Sequence, residues 1–165
     1  MKACVFALAL GVFGGLGMTA GAEAATAKPA AAAHDPPIAV VQDMVQAWNT
    51  RNWDRVTDLF AEDGSLYSMM LQPVTGRAAI GARIHQLGSG ISQIRLNVKH
   101  IGLIDGVVYV ERVDEFTYKG HTGAVPVVGA IEVKNGKVQV WREYYDRNQL
   151  LRAMGLPADF DGKSE

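Results

Sequence analysis

The stretch VVYVERVDEFTY, residues 107 to 118, reads as a β-strand: β-branched and aromatic residues dominate it, and it contains neither Gly nor Pro. Asp105-Gly106 just before it is a favoured two-residue hairpin turn, so IRLNVKHIGLI, residues 94 to 104, should pair with it antiparallel. Strand side chains alternate faces, so Arg112 and Asp114 share one face with Val108, Val110 and Phe116. Val107, Tyr109, Glu111, Val113 and Glu115 take the other. Neither face is purely polar, and periodicity alone does not say which one looks inward.

Downstream, AVPVVGAIEV (124–133) and KVQVWREYYD (137–146) flank Asn135-Gly136, a second turn of the same kind. On the last strand Trp141, Glu143 and Tyr145 share a face, and Arg142 and Tyr144 share the opposite one. Upstream the period becomes helical. In IAVVQDMVQAWNTRN (38–52), Val40, Val41, Met44, Val45 and Trp48 recur at helix spacing. NWDRVTDLFAEDG (52–64) predicts a second helix, with Trp53, Val56, Leu59 and Phe60 inward and Gly64 as its stop. A short strand, SLYSMML (65–71), is expected next. GRAAIGARIHQLGSG (76–90) reads as a third helix ended by Gly88 and Gly90, and RNQLLRAMG (147–155) as a closing one. Helices followed by a long antiparallel meander predict an α+β fold rather than a parallel α/β one. The element order resembles the cone-shaped nuclear transport factor 2 architecture, whose strongly curved, mostly antiparallel sheet wraps around helices and leaves a deep apolar pocket.

The first residues predict no part of that domain. Lys2 is followed by a short apolar run rich in Gly and Ala, and Ala20-Gly21-Ala22 and Ala22-Glu23-Ala24 both fit the A-x-A pattern of signal cleavage. No Arg pair precedes the run and no lipobox surrounds Cys4, so residues 1–24 read as an export signal, and periplasmic or secreted location follows. The run is too short to favour a permanent membrane span. Residues 25–36 read as an Ala- and Pro-rich flexible linker, and 37–165 as the folded domain. Cys4 is the only cysteine, so a mature chain has no disulfide and no thiolate nucleophile. His34, His85, His100 and His121 are scattered without metal-ligand spacing, so no metal is expected. A net charge of −1 without a basic block makes nucleic acid an unsuitable partner.

An arginine and acids at i, i+2 on a strand admit two readings. They decorate the wet side of a sheet, where such pairs contribute little, or they form a buried Asp–Arg–Glu cluster. Burial costs several kcal/mol per charge unless each is paired, and catalysis is a reason to bear that. An arginine between two carboxylates can leave one ionised as base and the other protonated as acid.

DGVVYVERVDEF (105–116), NGKVQVWREYYDRNQLLRAMGLP (135–157) and, upstream, FAEDGSLY and LQPVTGRAAI resemble the limonene-epoxide hydrolase family over roughly residues 38 to 157. That family reads N-G-L-V-Y-x-E-R-V-D and then G-K-I-x-x-W-R-D-Y-F-D. The resemblance implies Arg112 as the bridging arginine, Asp114 as general acid and Glu143 in the position of an aspartate general base. The Glu adds one methylene, a displacement of about 1.5 Å. The family holds its water with a Tyr and an Asn two apart on the first strand. Ungapped, those positions are Leu66 and Ser68; a one-residue slip brings up Tyr67 and Met69, so Tyr67 and Ser68 are the candidate water-positioning residues and the Asn is absent. Met69, Met70, Leu71, Val125, Val127 and Trp141 are candidate pocket residues, apolar and suited to a bulky ligand.

The resemblance implies an epoxide hydrolase acting in one step on a small-to-medium apolar molecule, without cofactor, and a homodimer. No G-x-S-x-G is present to support a serine nucleophile. Two other functions stay open at this stage: an isomerase or cyclase using a carboxylate base in the same pocket, and a non-catalytic protein that binds an apolar ligand.

Overall fold

The computed structural model describes residues 36–68 and 71–160, all within the compact unit Ala33–Glu165. The expected signal lies outside the described residues, as do Met69, Met70 and all of the expected linker except Pro36, which begins the first helix. The elements run α1 (Pro36–Asn49), α2 (Trp53–Asp58), β1 (Phe60–Ser68), β2 (Val74–Thr75), α3 (Arg77–Ser89), β3 (Ile91–Ile104), β4 (Val107–Tyr118), β5 (His121–Lys134), β6 (Lys137–Tyr144) and α4 (Arg147–Ala153). The six strands form one curved sheet in the order β2-β1-β6-β5-β4-β3. β3 to β6 are the antiparallel meander that the turn residues predict, whereas β1 lies parallel to β6. This is the α+β, nuclear transport factor 2-like fold.

Asp105-Gly106 and Asn135-Gly136 make their turns with positive φ at both residues, as the tight hairpin requires. A third turn, Lys119-Gly120, does the same between β4 and β5. Lysine is a poor marker for a left-handed position, so this turn is not evident in the sequence.

The second helix is shorter than its apolar spacing predicts. Asn52 caps it, its Oδ1 accepting from the Arg55 amide at 3.0 Å. It ends at Asp58, because the next backbone groups are claimed by β6: the Val138 amide donates to the Leu59 carbonyl at 2.8 Å, and Phe60 is in register with Val138. Gly64 therefore stops no helix. It lies inside β1, whose register with β6 shifts between Phe60 and Ser65. Long-range pairing overrides the local period here.

The helices cover the inner face of the sheet, with α1 against β3, β4 and β5, α3 against β1 and β3, and α4 against β5. Two apolar clusters result. Val41, Met44, Val56, Phe60, Ile80, Val108, Val110, Ile131 and Trp141 belong to the first. Ile91, Phe116, Tyr118, Val125, Val127 and Met154 form the second. The inner face of β4 runs Val108, Val110, Arg112, Asp114, Phe116, Tyr118, so the two charged residues sit at the seam between the clusters. Residues Glu111 and Glu115, on the other face, are exposed.

Candidate active site

The face of β4 that carries Arg112 and Asp114 is the inward one. Arg112 is 3 % exposed, and Asp114 and Glu143 are each 18 % exposed. The Arg112 guanidinium donates to Asp114 twice, Nε to Oδ1 at 2.8 Å and Nη2 to Oδ2 at 3.1 Å, and Nη2 also donates to Glu143 Oε1 at 2.5 Å. Glu143 stands on β6, two strands from β4, so the side chain of Arg112 spans β5 to reach it. Gly129 of β5 is paired with Glu143 on one side and Val110 on the other. A Cβ at Gly129 would lie 3.1 Å from Arg112 Nη1 and 3.0 Å from Val110 and Ile131 side-chain atoms. A glycine in mid-strand is thus what lets the guanidinium cross.

Burial alone would lower the affinity of Arg112 for its proton. The charges of Glu143 and Asp114 outweigh it, and the guanidinium is held more firmly charged than usual. Burial likewise raises Asp114. Arg112 opposes the rise and Glu143 adds to it, leaving the carboxyl at about 6. A carboxyl there is poised to be an acid near neutral pH. Oε1 of Glu143 accepts a second bond, from Trp141 Nε1 at 2.5 Å, and the Trp141 ring lies under the guanidinium at 5.8 Å. With Oε1 doubly occupied, Oε2 is the oxygen left for another partner: among the described residues, none donates to it.

These groups open onto a cavity of about 710 Å³. Trp48, Phe60, Leu66, Ile94, Leu96, Phe116, Val125, Val127, Trp141, Leu150 and Met154 supply apolar wall, together with other side chains from all the layers. A concave apolar site with a few convergent polar groups is the usual form of a small-molecule site.

Residues 35–155 match the limonene-1,2-epoxide hydrolase catalytic domain family. The chain belongs to that family. Three solved structures agree in fold. A protein from Catenulispora acidiphila DSM 44928 with a ketosteroid isomerase-like fold, solved with trimethylamine, superposes with a TM-score of 0.65 at 24 % identity, over 73 % of this chain and 95 % of that one. An epoxide hydrolase of the limonene-epoxide hydrolase type from M. tuberculosis gives 0.64 at 18 % identity, over 72 % and 89 %. A putative polyketide cyclase from Xanthomonas campestris pv. campestris gives 0.65 at 20 % identity, over 72 % and 96 %.

Against the expectations for this epoxide hydrolase family member, the structure brings Arg112, Asp114 and Glu143 together, and Ser68, Leu71, Val125, Val127 and Trp141 all line the cavity. Tyr67 does not reach it. Ser68 is in register with Glu143 and Tyr67 with Arg142, so Tyr67 takes the outer face of β1, while Leu66 and Ser68 face the cavity. Tyr145, Gly129 and a second role of Trp141 were not evident from sequence. Tyr145 lines the cavity and its hydroxyl meets that of Ser68. Its position two beyond Glu143 on one face was a signal, but its partner comes from β1. Trp141 was expected as apolar wall, and also donates to Glu143. Gly129 reads as an ordinary strand glycine until the path of Arg112 is known.

Proposed function

We propose that the protein is an exported epoxide hydrolase that adds water to an apolar epoxide in one step, without a covalent intermediate. The observation that carries this reading is the buried Asp114–Arg112–Glu143 bridge, with a raised Asp114 and a Glu143 Oε2 to which no described residue donates, at the wall of an apolar cavity. Glu143 Oε2 takes a proton from water as the water oxygen attacks one epoxide carbon. The carbon–oxygen bond breaks, and Asp114 gives its proton to the departing ring oxygen, so a diol forms. The enzyme is left with Glu143 protonated and Asp114 ionised, and transfer of one proton between them through solvent restores it. Arg112 keeps the two carboxylates in place and in different protonation states.

Ser68 and Tyr145 are suited to hold the water. Ser68 neighbours Glu143 across the β1–β6 pair, and its hydroxyl contacts that of Tyr145. Two hydroxyls, one on β1 and one just beyond the end of β6, would thereby do what a Tyr and an Asn on one strand do elsewhere in the family. Export rests on the A-x-A pattern near residue 22. A homodimer is supported by the exposed apolar side chains on the outer sheet face, where Val128 and Tyr144 are cross-strand neighbours and Tyr109 lies nearby.

The test is hydrolysis of a panel of apolar epoxides in ¹⁸O-labelled water under single-turnover conditions. Label should enter the diol in the first turnover, and Glu143→Gln and Asp114→Asn should each lower kcat by about 10²- to 10⁴-fold. Absence of diol from every member of the panel would leave a ligand-binding protein instead, a reading favoured by Leu66 at the place of the family's tyrosine.

A further inference from the structure

The hydrolysis step leaves one polar part of the cavity unused. Arg83 of α3 and Arg147, the first residue of α4, both line the cavity and are both half-buried. They lie far apart in sequence, yet both positive charges bear on one atom, the Tyr145 hydroxyl, and favour its ionised form against the burial that dominates its raised pKa. Arg147 is fixed in place. Its Nη1 donates to the Ala158 carbonyl at 3.2 Å and its Nη2 to the Phe160 carbonyl. Both acceptors are neutral, and among the described residues Arg147 forms no ion pair. Arg83 Nη1 donates to Gln86 Oε1 at 3.4 Å.

Among the described residues, the acidic ones of the cavity wall are Asp114 and Glu143, and Arg112 binds both. Among the described residues, the charge on Arg147 therefore has no counterpart in the wall. Half-buried cations lining an apolar cavity weaken it for a purely apolar guest, since a cation with no counter-charge in the wall keeps water nearby. They strengthen it for a guest that carries an anion, and a guanidinium matches a carboxylate in shape as well as charge.

We propose that the cavity takes an amphipathic carboxylic acid, with its apolar body inside and its carboxylate at Arg83 and Arg147. Where the guest is an epoxide, the reactive ring lies toward Arg112, Asp114 and Glu143. That last placement rests on the hydrolase reading; the anion site does not.

Binding is read first, by the fluorescence of Trp48 and Trp141, which line the cavity, using dodecanoate, dodecanol and dodecyltrimethylammonium. Dodecanoate should bind at least about tenfold tighter than dodecanol, the increment expected of hydrogen bonds to charged groups, and the ammonium should bind weakest. In Arg83→Gln/Arg147→Gln the advantage of dodecanoate should fall to less than about threefold, while dodecanol binding persists and shows the cavity intact. An equal affinity for acid and alcohol, or an advantage that survives the double variant, overturns the proposal. So does loss of dodecanol binding from a variant that retains its circular dichroism and melting transition, because the arginines would then serve the cavity and not the anion. A second measurement separates the two readings. Turnover of 9,10-epoxystearate and of its methyl ester is compared, and the free acid should have the higher kcat/KM in wild type only. Charge-dependent binding without diol from either epoxide leaves the anion site standing and removes the hydrolase. Equal turnover of acid and ester leaves the hydrolase and removes the anion site.

Discussion

Two ion-pair systems both draw on β6 but lie on opposite sides of the sheet. Outside, Arg142 of β6 donates to Glu132 of β5 at 2.6 Å, with the two side chains 31 % and 44 % exposed. Inside, Arg112 donates to Asp114 and Glu143 at similar distances and is almost fully buried. Bond lengths do not distinguish them. What differs is the water around each: the outer pair exchanges good hydration for a modest attraction, whereas the inner charges have lost hydration and depend on one another. Only inside is the dielectric low enough for neighbouring charges and burial to move a carboxyl as they move Asp114. Function follows from which face of the strand is dry.

Arg112 offers the largest break in this comparison. Replacing it with Met keeps the volume but leaves Asp114 and Glu143 facing each other in the cavity wall. The loss should be on the order of 3–5 kcal/mol of stability at pH 7, as is usual for breaking a buried pair by removing one partner. Urea denaturation measures it, and part of the loss should return at pH 5, where one carboxyl can protonate. An Arg112→Met protein as stable as wild type would mean that the inner charges are better hydrated than their burial indicates.

Asp114 comes next, through pH. Its carboxyl has a folded-state pKa of about 6 against an ordinary 3.8, so between these values the native state holds a proton that the unfolded state has released. Its contribution is therefore greatest at low pH and is lost as pH rises from about 4 to about 6; above that it is constant. Roughly 2 units correspond to about 3 kcal/mol across the window. Asp114→Asn should remove this part of the slope, seen as a difference between the two proteins in urea midpoints from pH 4 to 7. For the activity, the acid must carry its proton, so kcat/KM should fall about tenfold per unit as pH rises beyond about 6. A rate that climbs through that range would place the acid elsewhere.

The same contrast shows how far the sequence can be read. The meander was legible because Asp105-Gly106 and Asn135-Gly136 are local signals, and the first helix because its apolar period is long. The end of α2 was not, since β6 claims Leu59 and Phe60 from nearly eighty residues away in the chain. The site divides likewise. Alternation puts Arg112 with Asp114, and Trp141 with Glu143 and Tyr145, but it gives no sign of which face is dry, and the family motif was needed to choose. Tyr67 and Ser68 are neighbours that one register step exchanges, so only the pairing of Ser68 with Glu143 could assign them. Arg83 and Arg147 carry no motif at all. They become a pair only when α3 and α4 close over the same cavity.

Gly129 sharpens the comparison at the backbone between the two faces. Gly129→Ala would press on Arg112 Nη1, Val110 and Ile131, each a few tenths of an ångström too near, and Gly129→Val would displace the guanidinium. Overpacking of this kind costs typically 1–3 kcal/mol. Valine should approach the upper part of that range and reduce kcat more than stability predicts, because the Arg112–Glu143 contact is the part that moves. Thermal melts with steady-state rates give both. A valine variant with wild-type kcat would show that Arg112 can take another path across β5.

The outer pair should give the smallest effect, and its smallness is informative. Arg142→Ala removes a bond of 2.6 Å, shorter than either bond from Arg112 to Asp114, yet the stability change should be within about 1 kcal/mol and should shrink in 1 M salt, where the screening length falls to about 3 Å. The inner cluster should show no comparable salt dependence, since ions do not enter it. A double-mutant cycle on Arg142 and Glu132, run at low and high salt, isolates the pair. A coupling well above 1 kcal/mol that persists in salt would mean that the outer face is covered in solution. That covering is what a second copy of the chain packed on Tyr109, Val128 and Tyr144 would provide, so the cycle also tests whether the chain pairs through this face.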